Sequence, residues 1–311
     1  MSKKWMLLCF LIFVGSLTRS QQKSVAERLG YDADAKLLII HADDLGVTHS
    51  ENAASIKSLA NGPVNSASIM VPCPWFEEIA AYARKNKSTD LGLHLTLNSE
   101  WKHYKWGPVS SLDKVSSLVN KNGYFYALVD SLVTSGVADE VEYELRNQVK
   151  KAYKAGIDVT HLDAHMGAAV STPDFTAAYM KVAAEFRLPV LLDSRIYSIE
   201  HPQIKELLTE NTAVVDAIYS ASPGDFQKGM DQYYTSVLEK LQSGLNCLLI
   251  HLAYDDAEMK AVTIDHPGWG AAWRQADYDF FNSPECAKIL KEQNIILVSW
   301  RSIRDKITRA N

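Results

Sequence analysis

The stretch Leu38-Ile39-Ile40-His41-Ala42-Asp43-Asp44-Leu45-Gly46 drives an apolar, β-branched run straight into two adjacent carboxylates and a glycine. Such a run reads as a buried parallel strand, with Gly46 releasing the chain into a turn. In α/β folds, ligand sites lie at the carboxyl ends of these strands. Two neighbouring acids there can divide the work, one holding a metal and the other accepting a proton. Asp and Gly are also ordinary turn formers, so a solvated turn would explain the same residues.

Two further segments weigh against that bland reading. Leu91-Gly92-Leu93-His94-Leu95-Thr96-Leu97 alternates as a strand does and carries one histidine in an apolar stretch. Thr160-His161-Leu162-Asp163-Ala164-His165 follows the short run Gly156-Ile157-Asp158-Val159. A period of two points His161, Asp163 and His165 to one face. A lone histidine on an apolar face is most often a satisfied core residue. Three strand ends that each present His or Asp are harder to explain that way. Asp, His and His together form a common ligand set for a catalytic divalent metal that keeps one position open for water.

Outward from these motifs the pattern repeats. Strands are expected at residues 36–41, 66–71, 91–97, 158–162, 189–193, 213–218, 247–251 and 295–298, and helices at 51–60, 75–85, 141–155, 176–186, 227–241 and 283–292. Within 141–155, Val141, Leu145, Val149 and Ala152 recur at helical spacing. Strand and helix in alternation predict an α/β fold, an irregular, TIM-barrel-like (β/α) barrel in a single domain. Residues 21–34 read as a short helix or an arm.

Residues 99–136 and 254–279 do not fit a plain barrel. They carry Trp101, His103, Tyr104, Trp106, Tyr124, Phe125 and Tyr126 in the first, and Tyr254, Trp269, Trp273 and Tyr278 in the second. Long loops in a compact fold are usually functional or disordered, and this aromatic content argues against disorder. Aromatic faces flanked by polar groups suit the C–H faces of sugar rings, although the same rings can serve as each insertion's own small core.

The chain has 311 residues, 47% of them hydrophobic, enough for one large core. A net charge of −5 argues against nucleic acid or an anionic membrane surface as the main partner. Residues 1–20 read as a signal peptide, with Lys3 and Lys4 ahead of a short apolar run and a small-residue exit. The run is short for a bilayer span, so a mature domain of residues 21–311 and a periplasmic or secreted location are expected, with an uncleaved anchor as the competing reading. Cys73, Cys247 and Cys286 remain after the leader, an odd and widely spaced set that is no disulfide framework. The first two are expected to act as small core residues.

His41-Ala42-Asp43-Asp44-Leu45-Gly46 resembles the "N-A-D-D-F-G" opening of the YdjC-like carbohydrate deacetylases. Gly92-Leu93-His94-Leu95-Thr96-Leu97 is similar to their "G-x-H-L-T-L", and the stretch from Thr160 to His165 resembles their "T-H-x-D-x-H". The order and separation of the three motifs match as well, so the resemblance spans roughly residues 36–300. It implies removal of acetyl groups from N-acetylated sugars by a divalent metal on an irregular (β/α) barrel related to the NodB-type deacetylases. Two departures stand out. Met166-Gly167 replaces a further "x-H", and the family's late "H-P-G" is matched only by its histidine at His251-Leu252-Ala253. An intact His266-Pro267-Gly268 lies in a loop.

On this reading Asp44, His94 and His165 hold one divalent ion. Zinc, nickel, cobalt and manganese suit such ligands, while magnesium would be unusual with two histidines. His165 is preferred to His161 because it lies nearer the strand's carboxyl end. The resemblance to NodB-type enzymes makes Asp43 the proton acceptor. His251, at the end of an apolar run, is the candidate acid for the departing amine, with a core histidine as the plain alternative. Asp163 and His161 are expected beside these groups as orienting partners or substrate contacts. Arg195 is a candidate for a sugar oxygen or an oxyanion, and Trp106, Tyr254 and Trp269 are candidate sugar contacts. Another metal-dependent amidase or esterase, or a non-catalytic periplasmic sugar-binding protein, would share many of these features. A phosphatase should carry a basic or glycine-rich cradle, and none is evident. The sugar, the metal and the oligomeric state stay open, a homodimer included.

Overall fold

In the computed structural model, which describes residues 23–193 and 207–310, the opening apolar run becomes strand β1, Lys36–Leu45. Every residue of it from Leu37 to Leu45 is buried. A strand buried on both faces needs neighbours along both edges. One edge pairs, in parallel, with β6, Gly244–Ile250, from Lys36 to Ala42. The other edge is shared. Its lower part takes β7, Ile296–Leu297, and its upper part takes β2, Ser66–Ile69.

β3, Leu91–Leu95, and β4, Leu162–Ala164, continue the sheet beyond β2, while β5, Ala217–Ser220, flanks β6. The order is β4-β3-β2-β1-β6-β5, with every pairing parallel. Residues 189–193 link the two outer strands. The amide of Leu162 donates to the Pro189 carbonyl, and that of Val215 donates to Leu192. The sheet therefore curls in the manner of a TIM-like barrel, with helices such as Ala138–Lys154 and Pro173–Phe186 outside it. All carboxyl ends of the strands point the same way, toward the loops that carry the two insertions.

Several expected boundaries move. β1 runs on through Asp43 and Asp44 rather than stopping at residue 41. The strand expected at 158–162 lies at Leu162–Ala164, because its register is set by pairing with Leu93–Leu95 of β3. Residues 189–193 form only isolated bridges, Leu162 with Val190 and Asp193 with Val215. The helix expected at 227–241 is cut by Gly229, at φ 115°, into Pro223–Lys228 and Met230–Glu239. Residues 254–279 are largely helical, as Ala257–Val262 and Ala271–Phe281. Trp101, Trp106 and Phe125 of the other insertion are buried and continuous with the main hydrophobic core.

The helix Val25–Leu29 realises the arm ahead of β1. Cys73, Cys247 and Cys286 are all free and buried. Among the described residues, no helix is long and apolar enough to cross a membrane. The proposed leader, residues 1–20, lies outside the described residues.

One packing constraint under the strand ends is tight. His161 is fully buried, its ring stacked on Trp300 at 5.0 Å, and a Cβ on Gly92 would fall inside that ring's van der Waals envelope. Gly92→Ala should therefore destabilise the fold by about 1–3 kcal/mol, the usual cost of overpacking a close-packed interior. Gly224→Ala, which meets only a Ser222 hydroxyl at 3.7 Å, should be near neutral. Denaturant midpoints of the two variants check this.

Candidate active site

Adjacent residues of a strand normally point to opposite faces. Asp43 and Asp44 escape that rule through a bulge. β1 advances from Ala42 to Leu45 while β2 advances only from Ala67 to Ile69, so one extra residue sits on β1. Asp44 takes it up at φ 70°, a left-handed conformation rare for a residue with a side chain. Both carboxylates then line one cavity of about 420 Å³ at the carboxyl end of the sheet.

Asp44 faces two imidazoles. Its Oδ1 lies 3.4 Å from His94 Nε2 and 3.5 Å from His165 Nδ1. Its Oδ2 accepts a hydrogen bond of 2.8 Å from Arg274 Nη2. Burial opposes the charge, but Arg274 and His165 hold this carboxyl well below the usual carboxylate range. Arg274 is itself buried, paired through Nη1 with Glu51, and its Nε donates to the Trp269 carbonyl at 2.6 Å.

Each imidazole is oriented from behind. His94 comes from β3, and its Nδ1 faces Asp163 Oδ1 at 3.0 Å. His165 is the first residue after β4, in the 3₁₀ turn His165–Val170, and its Nε2 meets Glu100 Oε2 at 3.0 Å. Burial would drive the proton from His165, yet Glu100 and Asp44 raise its pKa to about 10. His94 is also shifted upward, because Asp163 and Asp43 outweigh its burial.

Asp43 has different company. Its Oδ1 accepts from the Ser68 hydroxyl at 3.2 Å and faces His41 Nε2 at 3.0 Å. Its Oδ2 lies 3.9 Å from Nε2 of His251. His251 lines the cavity just past β6, where burial pushes its pKa down to about 4. The backbone amide of His251 is anchored by Asp277 Oδ2 at 2.9 Å.

The structure thus gathers Asp43, Asp44, His94, His165, His251 and Trp269 around one cavity. Other sequence candidates lie elsewhere. His161 stands level with Gly92, below His94, buried against Thr160 and Trp300 and away from the cavity. Period two does bring His161, Asp163 and His165 into the interior, but at different depths. Asp163 is buried behind His94 and lines no part of the cavity. Trp106 is buried as well. Its Nε1 donates to the Asn98 carbonyl and its ring backs His165 at 6.4 Å, so it offers no face to a sugar. Tyr254 packs on Tyr278 at 5.0 Å, outside the cavity. Arg195 lies outside the described residues.

Sequence reasoning missed Arg274 and Glu100, both of which line the cavity. Arg274 and Asp277 are buried charges three residues apart on one helix, a signal hidden while residues 254–279 read as loop.

The residues fit a divalent cation. Nδ1 or Nε2 of His94 and His165 and a carboxylate oxygen of Asp44 all lie within 4.8 Å of one another. Asp44 Oδ1 is buried and has no hydrogen-bond partner, an expensive arrangement for a carboxylate unless a cation completes it. Two other clusters, His41 with His161 and Asp163, and Asp43 with His94 and Asp163, share their members with this hydrogen-bonded network.

The YdjC-like protein family model matches residues 37–292. A carbohydrate deacetylase of Thermus thermophilus is 32% identical over 286 residues, covering 90% of this chain and 98% of the relative. Another, from Thermoanaerobacter pseudethanolicus, is 27% identical and covers 86% of this chain and all of itself. Among solved structures, an Enterococcus faecalis protein provisionally assigned to cellobiose-phosphate cleavage shares the fold. Its TM-score is 0.73 at 24% identity, over 86% of this chain and 99% of that one.

A cation can bind His94 and His165 only after their ring protons leave. Metal uptake by chelator-stripped protein should therefore release protons, and apparent affinity should rise from neutral pH toward about 10, where His165 loses its proton. Calorimetric titration in buffers of different ionisation enthalpy measures both. Uptake independent of pH would exclude His165 as a ligand.

Proposed function

The chain belongs to the YdjC-like family, and from that premise we propose that it is a metal-dependent hydrolase removing acetyl groups from N-acetylated sugars. Two relatives named carbohydrate deacetylase, similar over nearly their whole length, support the substrate class. The observation that carries the mechanism is the division of labour between two adjacent acids in one cavity. Asp44 faces His94, His165 and an arginine, whereas Asp43 faces His41 and Ser68, and Nε2 of His251 lies between the two acids, 3.9 Å from Asp43 and 4.0 Å from Asp44.

Asp44, His94 and His165 would hold the ion, which when bound polarises the amide carbonyl and lowers the pKa of water. Asp43 accepts the proton of the attacking water through Oδ2, since its Oδ1 is occupied. His251 is neutral at rest because of its burial. It therefore acquires a proton during the reaction, and Asp43, 3.9 Å away, is the nearest source. His251 then passes that proton to the departing amine, which cannot leave as an anion. Trp101 and Trp269 line the same cavity, and Trp269, the more exposed of the two, offers aromatic surface to a sugar ring. The periplasmic or secreted location read from residues 1–20 belongs to the same proposal.

Acetate release from N-acetylglucosamine oligomers is the test. Release should occur, stop with a chelator and return on adding a divalent metal. Release only from simple esters or amides would make the chain another metal hydrolase, and binding without release would make it a sugar-binding protein. His251→Ala should slow acetamide cleavage by about 10²–10⁴, while leaving an activated acetyl ester, whose leaving group needs no proton, nearly untouched. Equal losses on both substrates would exclude His251 as the acid.

A further inference from the structure

Two residues before Asp43, and so on the same face of β1, stands His41. His41 is fully buried. Its Nε2 lies 3.0 Å from Asp43 Oδ1 and 3.0 Å from Asp163 Oδ2, and its Nδ1 lies 3.0 Å from the Ser66 hydroxyl. The Ser66 hydroxyl also lies 3.3 Å from Asp90 Oδ1. Whichever role Nδ1 takes toward Ser66, Nε2 faces two carboxylates, which only accept, and so carries a hydrogen. The ring thus sets its Nε2–H against two buried carboxylates, which favour its charged form. Its raised pKa, about 10, agrees, since Asp163 and Asp43 outweigh the burial that opposes the charge.

We propose that His41 is a positioning residue that locks the Asp43 carboxylate through Oδ1 and leaves Oδ2 aimed at the reacting groups. The inference rests on the reading of Asp43 as the proton acceptor. Charge-assisted hydrogen bonds are shorter and stronger than neutral ones, so one N–H shared by Asp43 and Asp163 fixes both side chains. The Ser68 hydroxyl reinforces the arrangement, its single proton lying between Asp163 Oδ2 at 2.9 Å and Asp43 Oδ1 at 3.2 Å. Rotation of Asp43 about its terminal torsion would break the His41 and Ser68 contacts together. An acceptor that must take a proton at one oxygen gains directly from such a restraint.

A buried counter-charge could also be merely structural, and the length of the replacing side chain separates the two roles. Glutamine can place an amide N–H where Nε2 stands. Asparagine reaches only as far as Nδ1, so it can keep the Ser66 contact and lose Asp43. In the full-length, metal-loaded protein acting on N-acetylglucosamine oligomers, His41→Asn should lower kcat about 10- to 100-fold, with KM and metal content unchanged. His41→Gln should recover most of that loss. In an Asp43→Asn background, His41→Asn should cost little further, because Asp163 keeps its contacts with His94 and Ser68 and what His41 does for turnover runs through the missing carboxylate.

Wild-type kcat in His41→Asn, equal losses in the two variants, metal loss in step with activity, or an additive effect in the double variant would each overturn the proposal. Ser66→Ala provides a milder probe should His41→Asn fail to fold. It removes the Nδ1 partner, and kcat should fall severalfold with metal retained, an unchanged kcat counting against the proposal. If Asp43→Asn alone keeps wild-type turnover, the reading of Asp43 as acceptor is what fails. If that variant is inactive and the His41 variants are normal, only the present inference fails.

Discussion

Between Ala42 and Leu45 the first strand carries one residue more than its neighbour, and Asp44 absorbs it at a φ of 70°. Without that bulge the two acids would point to opposite faces of the sheet, one into the barrel and the other toward the helices. With it, both open on the same cavity. A left-handed residue with a side chain costs of order 1–3 kcal/mol. The surroundings hold it there: Arg274 takes one oxygen of Asp44, and the Gly46 amide that follows is caught by Asn52 Oδ1 at 2.7 Å.

The rest of the site follows from keeping those charges apart and balanced. Arg274, pinned between Glu51 and Asp44, occupies Oδ2 and leaves Oδ1 to face His94 and His165. Asp163 stands behind His94 and Glu100 behind His165, so each ring is held from the side away from Asp44. This is the second layer that metal-binding histidines normally require, and it comes from different elements. Glu100 follows β3, Asp163 belongs to β4, and Arg274 sits on the helix Ala271–Phe281. The cavity is therefore a product of the whole curled sheet and both insertions.

Much of this was legible in the sequence. Uninterrupted apolar runs ending in Asp or His announced buried parallel strands with chemistry at their ends, and alternation with helical stretches announced a barrel. Period two placed His161, Asp163 and His165 correctly in the interior. It could not rank their depth, because that depends on the register of β4 against β3, a long-range pairing. Residues 254–279 failed for a local reason. Trp269 adopts a left-handed φ of 56° just before the helix, and the glycine- and proline-containing run His266-Pro267-Gly268 masked the helical spacing of Arg274 and Asp277. Trp106 and Tyr254 were overread because aromatic content alone does not say whether a ring faces a cavity or the core. The bulge itself has no signature in the residues, since Asp-Asp-Leu-Gly reads equally well as a turn.

The central claim is that neighbouring acids on one strand have separate duties, one toward the cation and one toward the proton. Zinc, nickel and manganese stoichiometry measured in parallel on Asp43→Asn and Asp44→Asn tests it without reference to substrate. The account predicts that Asp43→Asn retains one equivalent of bound metal while Asp44→Asn loses most of it. Loss in Asp43→Asn with retention in Asp44→Asn would contradict the account and exchange the two assignments.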